Sequence, residues 1–366
     1  MFSPVFSITN KTLQSLIDVE IANRIIALSQ LQPDWETRLN QECLVKKVFG
    51  MARFSGCDLN IDSVAKIVKD EPGRDDKASG VALRTGVVGK EKDIQLILNL
   101  LNTNRLIEQM AFLAGKFKQG DFGEKELAQI NVLLGERLVL PENAGKYRDK
   151  KPDNDYPGTT SAVEIPFQIE DLFSWFESRT KNEIHVINKA GVMMYELLRI
   201  SPFTENNLLC AISFFRLILS SEGYGFRKMI SFEEEILRNK ESFNQAFLSV
   251  ERNAGDLTIW IEYLSKCLSV SSGNELTKVM NLVGDTPIFK SESGKAISLT
   301  ERQIAIMEDI TLKNEMTIKE IRNILPMVSD DTILRDLKDL IEKKLIRKKG
   351  KTKGAVYVIG KVRSYR

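Results

Sequence analysis

The chain has 366 residues, of which 43% are hydrophobic and 28% charged, with a formal net charge of +2. That balance is ordinary for a soluble globular protein of two or three domains, and it excludes a low-complexity or collagen-like chain. A single histidine, His185, excludes most His-dependent acid–base and metal chemistry. The four cysteines, Cys43, Cys57, Cys210 and Cys267, have no CxxC spacing and read as buried free thiols, with neither a metal centre nor a disulfide framework expected. Ser3, Asn10, Lys11 and Gln14 interrupt any apolar run after Met1, and no stretch approaches the ~20 apolar residues of a membrane span. A soluble, cytoplasmic protein with no membrane partner is expected.

In chain order, Leu13–Leu31 opens with Leu16, Ile17, Ile21, Ile25 and Leu28 at helical spacing. Glu71–Gly89, rich in Gly, Asp and Lys, reads as a loop or short hairpin. Helical patterns follow over Lys90–Phe117 and Glu124–Leu138. Pro141–Pro166 is broken by Gly145, Pro152, Asn154, Pro157 and Gly158. Helix resumes over Glu170–Glu177, Asn182–Arg199 and Asn207–Leu219. Ser271–Ser298, with Gly273, Gly284, Pro287 and Gly294, reads as a linker.

Beyond the linker the rhythm changes. Thr300 is placed to cap a helix through Ile310, and Thr317 with Glu320 forms a capping-box pattern ahead of Pro326. Ser329 or Asp330 caps a third helix with the apolar stripe Ile333, Leu334, Leu337, Leu340 and Ile341. Leu345–Arg347 and Ala355–Ile359 read as two strands around a Lys-rich turn. Nine Lys and Arg stand between Lys344 and Arg366 with no acid among them, an asymmetry that suggests nucleic acid. Ser329–Tyr357 resembles the winged-helix domains of bacterial repressors through Thr332-Ile333, Arg335-Asp336-Leu337, Leu340, Glu342-Lys343, Leu345-Ile346, Gly350 and Tyr357. The resemblance implies a helix in the DNA major groove presenting Thr332, Arg335 and Lys338, with Lys348, Lys349, Lys351 and Lys353 on backbone phosphates. Asp336 and Asp339 on the same helix are expected to weaken its positive field.

The centre of the chain carries a second resemblance. Ser201-Pro202-Phe203-Thr204-Glu205-Asn206-Asn207-Leu208-Leu209 and Ile212 align with the Fic signature, HPFx(D/E)GNGRxxR. Gly145-Lys146-Tyr147-Arg148 resembles the family's G-x-Y-R element. Tyr156-Pro157 and Val163–Trp175 resemble its target-binding flap and the helix that follows, and Gly255–Trp260 the segment that closes the fold. The resemblance implies a mainly α Fic-type domain with a small β-hairpin flap. In such enzymes a histidine deprotonates a protein hydroxyl, an acidic residue holds Mg²⁺, glycines admit nucleotide phosphates and arginines neutralise them.

In this chain serine stands in the base's place at Ser201, and a serine hydroxyl is no base near neutral pH. Asn206 and Leu208 replace the glycines, Leu209 and Ile212 the arginines. Phe203 is a core anchor in this scheme; Glu205 and Asn207 survive. Met51–Gly56 aligns with the family's inhibitory helix (S/T)xxxE(G/N), with Ser55 in the glutamate's place and Gly56 retained. Ser201–Asn207 therefore reads as a capping loop between core helices, with no intact catalytic site, no resident cofactor (Mg-ATP only with residual transfer activity) and Glu205 a weak metal candidate.

The expected organisation is an N-terminal helical region over 1–89, a Fic-like core over 90–270, a linker over 271–298 and a winged helix-turn-helix over 299–366. The expected function is a DNA-binding regulator, more a pseudoenzyme than an enzyme. Duplex DNA is the expected partner, with a homodimer or protein partner also open. A Fic-type AMP transferase with a non-standard loop, and a protein-interaction module using the flap, are the alternatives.

Overall fold

The computed structural model describes residues 2–117, 122–151, 160–178, 183–238, 240–285, 288–289, 299–313, 315–325, 328–350, 355–360 and 364–365. The chain divides into two units, one of Met1–Ala27 with Asn40–Leu276, the other of Leu28–Leu39 with Thr277–Arg366. No division falls at Gly89. Among the described residues no helix is long and apolar enough to cross a membrane.

The first unit is helical, with α1, α2 and α12 running past its bounds into the second: α1 (Asn10–Leu28), α2 (Pro33–Phe54), α3 (Ile61–Lys69), α4 (Ala78–Thr85), α5 (Glu91–Phe117), α6 (Glu124–Gly135), α7 (Ile165–Glu177), α8 (Val186–Ile200), α9 (Asn207–Ser221), α10 (Phe232–Arg238), α11 (Lys240–Arg252) and α12 (Thr258–Asp285). Helices α8 and α9 form its centre. Every residue of α8 from Ile187 to Leu198 is buried, and α9 is buried at most positions from Leu209 to Leu219. Two charged members of α8 are paired: Lys189 donates to the Phe176 carbonyl and Glu196 accepts from Arg199. Helices α5 and α6 pack on α9, and α7 on α8. Gly191 admits the close approach of α12: a Cβ there would sit 3.3 Å from Leu264 Cδ1. The fully buried Trp260 donates from Nε1 to the Gly191 carbonyl at 2.8 Å.

Two sequence expectations are corrected in this unit. The stretch Glu71–Gly89 contains α4, held by the burial of Ala78 and Val81 and closed by Gly86 in the left-handed conformation. The expected linker from Ser271 is helical to Asp285. Gly273 costs about 1 kcal/mol in a helix, outweighed by the apolar burial of Leu264, Leu268 and Val279 along the same helix.

The second unit joins three helices to a small sheet: α13 (Glu301–Lys313), α14 (Ile318–Ile324), α15 (Asp330–Glu342), and strands β1 (Ile288–Phe289), β2 (Glu315–Thr317), β3 (Ile346–Lys349), β4 (Val356–Ile359) and β5 (Ser364–Tyr365). The antiparallel sheet runs β2-β4-β3, with Met316 opposite Tyr357 and Lys348 opposite Tyr357 on the other side. β1 pairs with β5 separately. Ile306, Met307, Ile310, Met316, Ile321, Ile333, Leu337, Leu340 and Tyr357 form the core. The expected Thr317–Glu320 capping box is present, Thr317 N–H donating to Glu320 Oε2 at 2.7 Å, and Ser329 caps α15. Of the stripe expected to be buried on α15, Leu334 and Ile341 face outward instead. At 100° per residue they lie beyond the arc that Ile333, Leu337 and Leu340 cover.

In the first unit Lys47 is almost wholly buried and donates to Asn104 Oδ1 at 3.3 Å. Burial, with the nearby Arg216 guanidinium, pulls its pKa down to about 8. The unfolded chain therefore holds the extra proton between pH 8 and the ordinary lysine value near 10.5, so stability rises with pH through that window. Burial of the Cys210 and Cys267 thiols, which raises their pKa, contributes the opposite slope over the same window, so the Lys47 contribution is read as a difference. In urea denaturation at pH 7.5 and pH 10, the native protein is expected to gain up to about 3 kcal/mol relative to Lys47→Met.

Candidate functional site

The loop joining α8 to α9 is built by four local devices. Ser201 ends α8 in the left-handed conformation with φ 44°, and its Oγ donates back to the Leu198 carbonyl at 2.6 Å. Ser201 is buried, and its hydroxyl is turned into the helix end. Phe203 is fully buried, and its N–H donates to Asn207 Oδ1 at 2.9 Å while its carbonyl accepts from Asn207 Nδ2 at 2.7 Å. Asn206 has φ 64° and precedes α9 without a side-chain cap bond. This is a left-handed position that asparagine tolerates where most L-residues do not. Finally, Asn131 Nδ2 donates to the Glu205 carbonyl at 3.0 Å, and Asn131 Oδ1 accepts from the Gly145 N–H at 3.0 Å.

Arg148 holds the loop from behind. It is buried, and its guanidinium donates to the carbonyls of Ser201 at 2.7 Å, Thr160 at 2.5 Å, Lys150 at 3.0 Å and Ile200 at 3.2 Å. Its own N–H donates to the Pro202 carbonyl at 2.9 Å, and Tyr147 bridges to Phe203 as an isolated antiparallel pair. Cations beside a helix C-terminus are favourable because the last carbonyls lack intrahelical partners.

In front of the loop lies a cleft of about 1090 Å³. Thr204, Glu205, Asn206, Asn207, Leu208 and Leu209 line it from the loop and α9, and Phe54 and Ser55 from the end of α2. Asn143, Arg148, Asp149, Lys150, Lys151, Lys240, Phe243 and Asn244 complete it. The structure thus brings Ser55 to the same cleft as Glu205–Leu209, two segments some 150 residues apart in sequence. Gly56 lies just past the helix with φ +74°. Ser201 and Ile212 do not line the cleft; Ile212 is fully buried, as is Leu209 for all but an edge. Lys240 and Asn244, on α11, belong to no motif, so nothing in the sequence marks them. Burial raises the pKa of the Cys210 thiol beneath the loop, which makes it an inert core residue. Among the described residues no group of three His, Cys, Asp or Glu could hold a metal ion.

The second candidate surface is in the C-terminal unit. Thr332 is half-buried, its Oγ1 2.9 Å from Ser329 Oγ at the cap of α15. Arg335 and Lys338 are exposed on α15, with Lys338 Nζ 3.9 Å from Glu342. Lys348 and Lys349 are exposed on β3. Lys351 and Lys353 lie outside the described residues, as does the centre of the expected hairpin flap. The acids expected to weaken this surface are turned aside. Asp336 is buried and accepts from Arg302 Nε at 2.7 Å; Asp339 accepts from Lys343 at 2.6 Å and from Gln303 at 2.7 Å.

The loop's dependence on Arg148 is directly testable. Arg148→Met leaves buried carbonyls without donors, and is expected to cost about 3 kcal/mol or more in denaturant titration. Amide hydrogen exchange is expected to speed up at Ser201 and Phe203 first.

Comparison with known proteins places these features. No curated protein matches the chain. The fold is similar to that of a Fic family protein from Desulfovibrio desulfuricans G20, with TM-score 0.61 and 17% identity over 100% of both chains. It is similar to Fic-1 from C. elegans, with TM-score 0.58 and 16% identity over 74% of this chain and 73% of that one. A Fic domain containing signaling protein from Bacteroides thetaiotaomicron VPI-5482 gives TM-score 0.54 and 18% identity over 74% of this chain and 98% of the other. At such identities the likeness is one of fold. Residues 121–219, which span α6 to α9 and the loop, match the family model described as Fic/DOC family. The chain therefore carries a Fic/DOC family domain over that segment.

Proposed function

We propose that the protein is a DNA-binding regulator in which a winged-helix C-terminal unit touches the duplex and the Fic-type domain serves a role other than transfer. The observation that carries this reading is the charge arrangement of the second unit. Arg335 and Lys338 on α15 and Lys348 and Lys349 on β3 are exposed, while Asp336, Asp339 and Asp330 are each tied to a basic side chain. The order α13, β2, α14, α15 and then a hairpin of β3 and β4 follows the winged-helix plan, in which the last helix enters the major groove and the hairpin flanks it.

The Fic-type loop does not fit Mg²⁺–nucleotide chemistry. The base position holds Ser201, whose hydroxyl is buried and bonded to its own helix. Leu208 stands where backbone must approach a phosphate, and Leu209 and Ile212 stand where cations are needed. Glu205 alone is a poor cation site. Losing a general base alone typically costs ~10²–10⁴-fold in rate. Transfer of AMP is accordingly expected to be undetectable with labelled ATP, and calorimetry with ATP, CTP, GTP or UTP in Mg²⁺ is expected to show no binding at millimolar concentration. Heat from any one of them would favour the transferase alternative.

For DNA, the 366-residue chain is expected to bind duplex at low salt, with affinity falling linearly on a log–log plot against salt. Lys348→Ala and Lys349→Ala are expected to weaken binding equally for all sequences and to reduce that slope by about 0.9 for each phosphate that is no longer neutralised. Failure to bind any duplex in low salt would remove the regulator reading.

A further inference from the structure

Of the five apolar positions whose spacing marks α1 in the sequence, only Leu16 is buried. Leu13, Ile17, Ile21 and Ile25 are 50%, 43%, 50% and 37% exposed, and Leu28 at the end of the helix is 71% exposed. The inner face is built instead from Leu16, Val19, Ala22 and Ile26. A helix on the surface of a monomer carries one apolar stripe. Helix α1 carries two, on opposite sides. The outer one recurs every four residues and so forms a single ridge along the helix.

The polar side chains around the ridge leave it continuous. Asn10 stands in line with it at the N-terminal end of the helix. On one flank Gln14 donates to Asp18 at 3.0 Å, and Asp18 accepts from Ser269 of α12 at 3.1 Å. On the other flank Glu20 accepts from Tyr224 Oη and lies 3.1 Å from His185 Nε2. Arg24 is exposed one turn beyond Glu20 on that same flank. The 19 residues of α1 make a helix about 28 Å long and 10 Å wide, so the ridge covers on the order of 300 Å². Exposed apolar patches of that size commonly mark association sites. A stable interface takes roughly 800 Å² from each partner. Lys266 on α12 and the turn at Glu222 and Gly223, where Asn23 of α1 donates to the Gly223 carbonyl at 3.1 Å, are exposed beside the ridge and offer a polar rim.

We propose that α1 is the contact through which two copies of this chain associate, the outer ridge packing antiparallel on its counterpart across a two-fold axis at Ile21. Such a contact must be self-complementary, and this face is. With Ile21 on the axis, Ile17 faces Ile25 of the second copy. The two-fold also brings the flank bearing Glu20 and Arg24 against the same flank of the second copy. Arg24 then comes within about 3 Å, measured along the helix, of the second copy's Glu20, and symmetry makes that ion pair twice. The proposal is independent of the DNA-binding reading.

Sedimentation equilibrium of the 366-residue chain at micromolar concentration is expected to give twice the single-chain mass of 41.5 kDa. Ile17→Glu and Ile21→Glu change exposed positions and keep the fold, checked by circular dichroism. Each is expected to raise the dimer dissociation constant about a hundredfold or more, because each removes two buried isoleucines per dimer. The native cysteines are buried, so an added surface thiol can be followed alone. Ile21→Cys is expected to form a disulfide with its own counterpart under mild oxidation, which requires Cα atoms within about 7 Å. Leu13→Cys, roughly 24 Å from its counterpart along the antiparallel pair, is expected to stay unlinked. A native chain that sediments as a monomer overturns the proposal and leaves the ridge to a different protein. A dimer that Ile21→Glu does not weaken overturns this face as the contact. A dimer linked through Leu13→Cys but not through Ile21→Cys overturns the antiparallel register.

Discussion

Enclosing α8 on every side creates a problem at its C-terminus that the rest of the first unit is arranged to solve. The last carbonyls of any helix lack intrahelical donors, and at Ile200 and Ser201 water is excluded. The Arg148 guanidinium supplies the missing donors and extends to Thr160 and Lys150. One side chain therefore ties the end of α8 to both edges of the segment that begins at Lys150 and returns at Thr160. An isolated guanidinium in a core would be costly; four carbonyls make this one a structural cation. The same geometry turns the Arg148 charge toward the backbone, although the residue also lines the cleft.

The loop persists as a shape after the residues of transfer chemistry have been replaced. Its form depends on Phe203 in the core, on the two bonds between Asn207 and the Phe203 backbone, and on a residue at 206 that accepts a left-handed backbone. None of these demands touches a base, a phosphate cradle or a motif arginine. Shape and chemistry are thus separable here, since the groups that fold the loop differ from those that would react. That separation explains why Phe203 and Asn207 keep the signature while Ser201, Leu208, Leu209 and Ile212 depart from it; the Glu205 side chain, whose carbonyl alone is bonded in the loop, has no such explanation.

Legibility followed the range of the interaction. Long apolar periodicities announced α5, α6 and α9, and the Thr317–Glu320 pair announced α14, because caps and amphipathic stripes are written within a few residues. Helix α4 was hidden because its eight residues carry Gly80 and Thr85, and only tertiary burial of Ala78 and Val81 settles it. Strand β2 is three residues long, and its partner Tyr357 lies far along the chain. The motif positions of the cleft were readable from their spacing. Lys240 and Asn244 were not, since only the packing of α11 brings them there.

The charge count of α15 illustrates the same limit in the opposite direction. Read linearly, the helix carries Asp330, Asp331, Asp336, Asp339 and Glu342 against Arg335 and Lys338, an acidic element unsuited to DNA. Folding assigns each charge a direction. Asp336 turns to Arg302 at the buried edge, Asp339 to Lys343 and Gln303, and Asp330 to Arg322 across the turn from α14. Pairs at 2.5–2.7 Å project little field beyond a Debye length of about 8 Å in physiological salt. What an approaching ligand meets is therefore the remainder, in which Arg335 and Lys338 stand beside Asp331, Glu342 and the apolar Leu334 and Ile341. The sum of charges along a helix is a poor guide to its surface potential whenever its acids have partners on neighbouring elements.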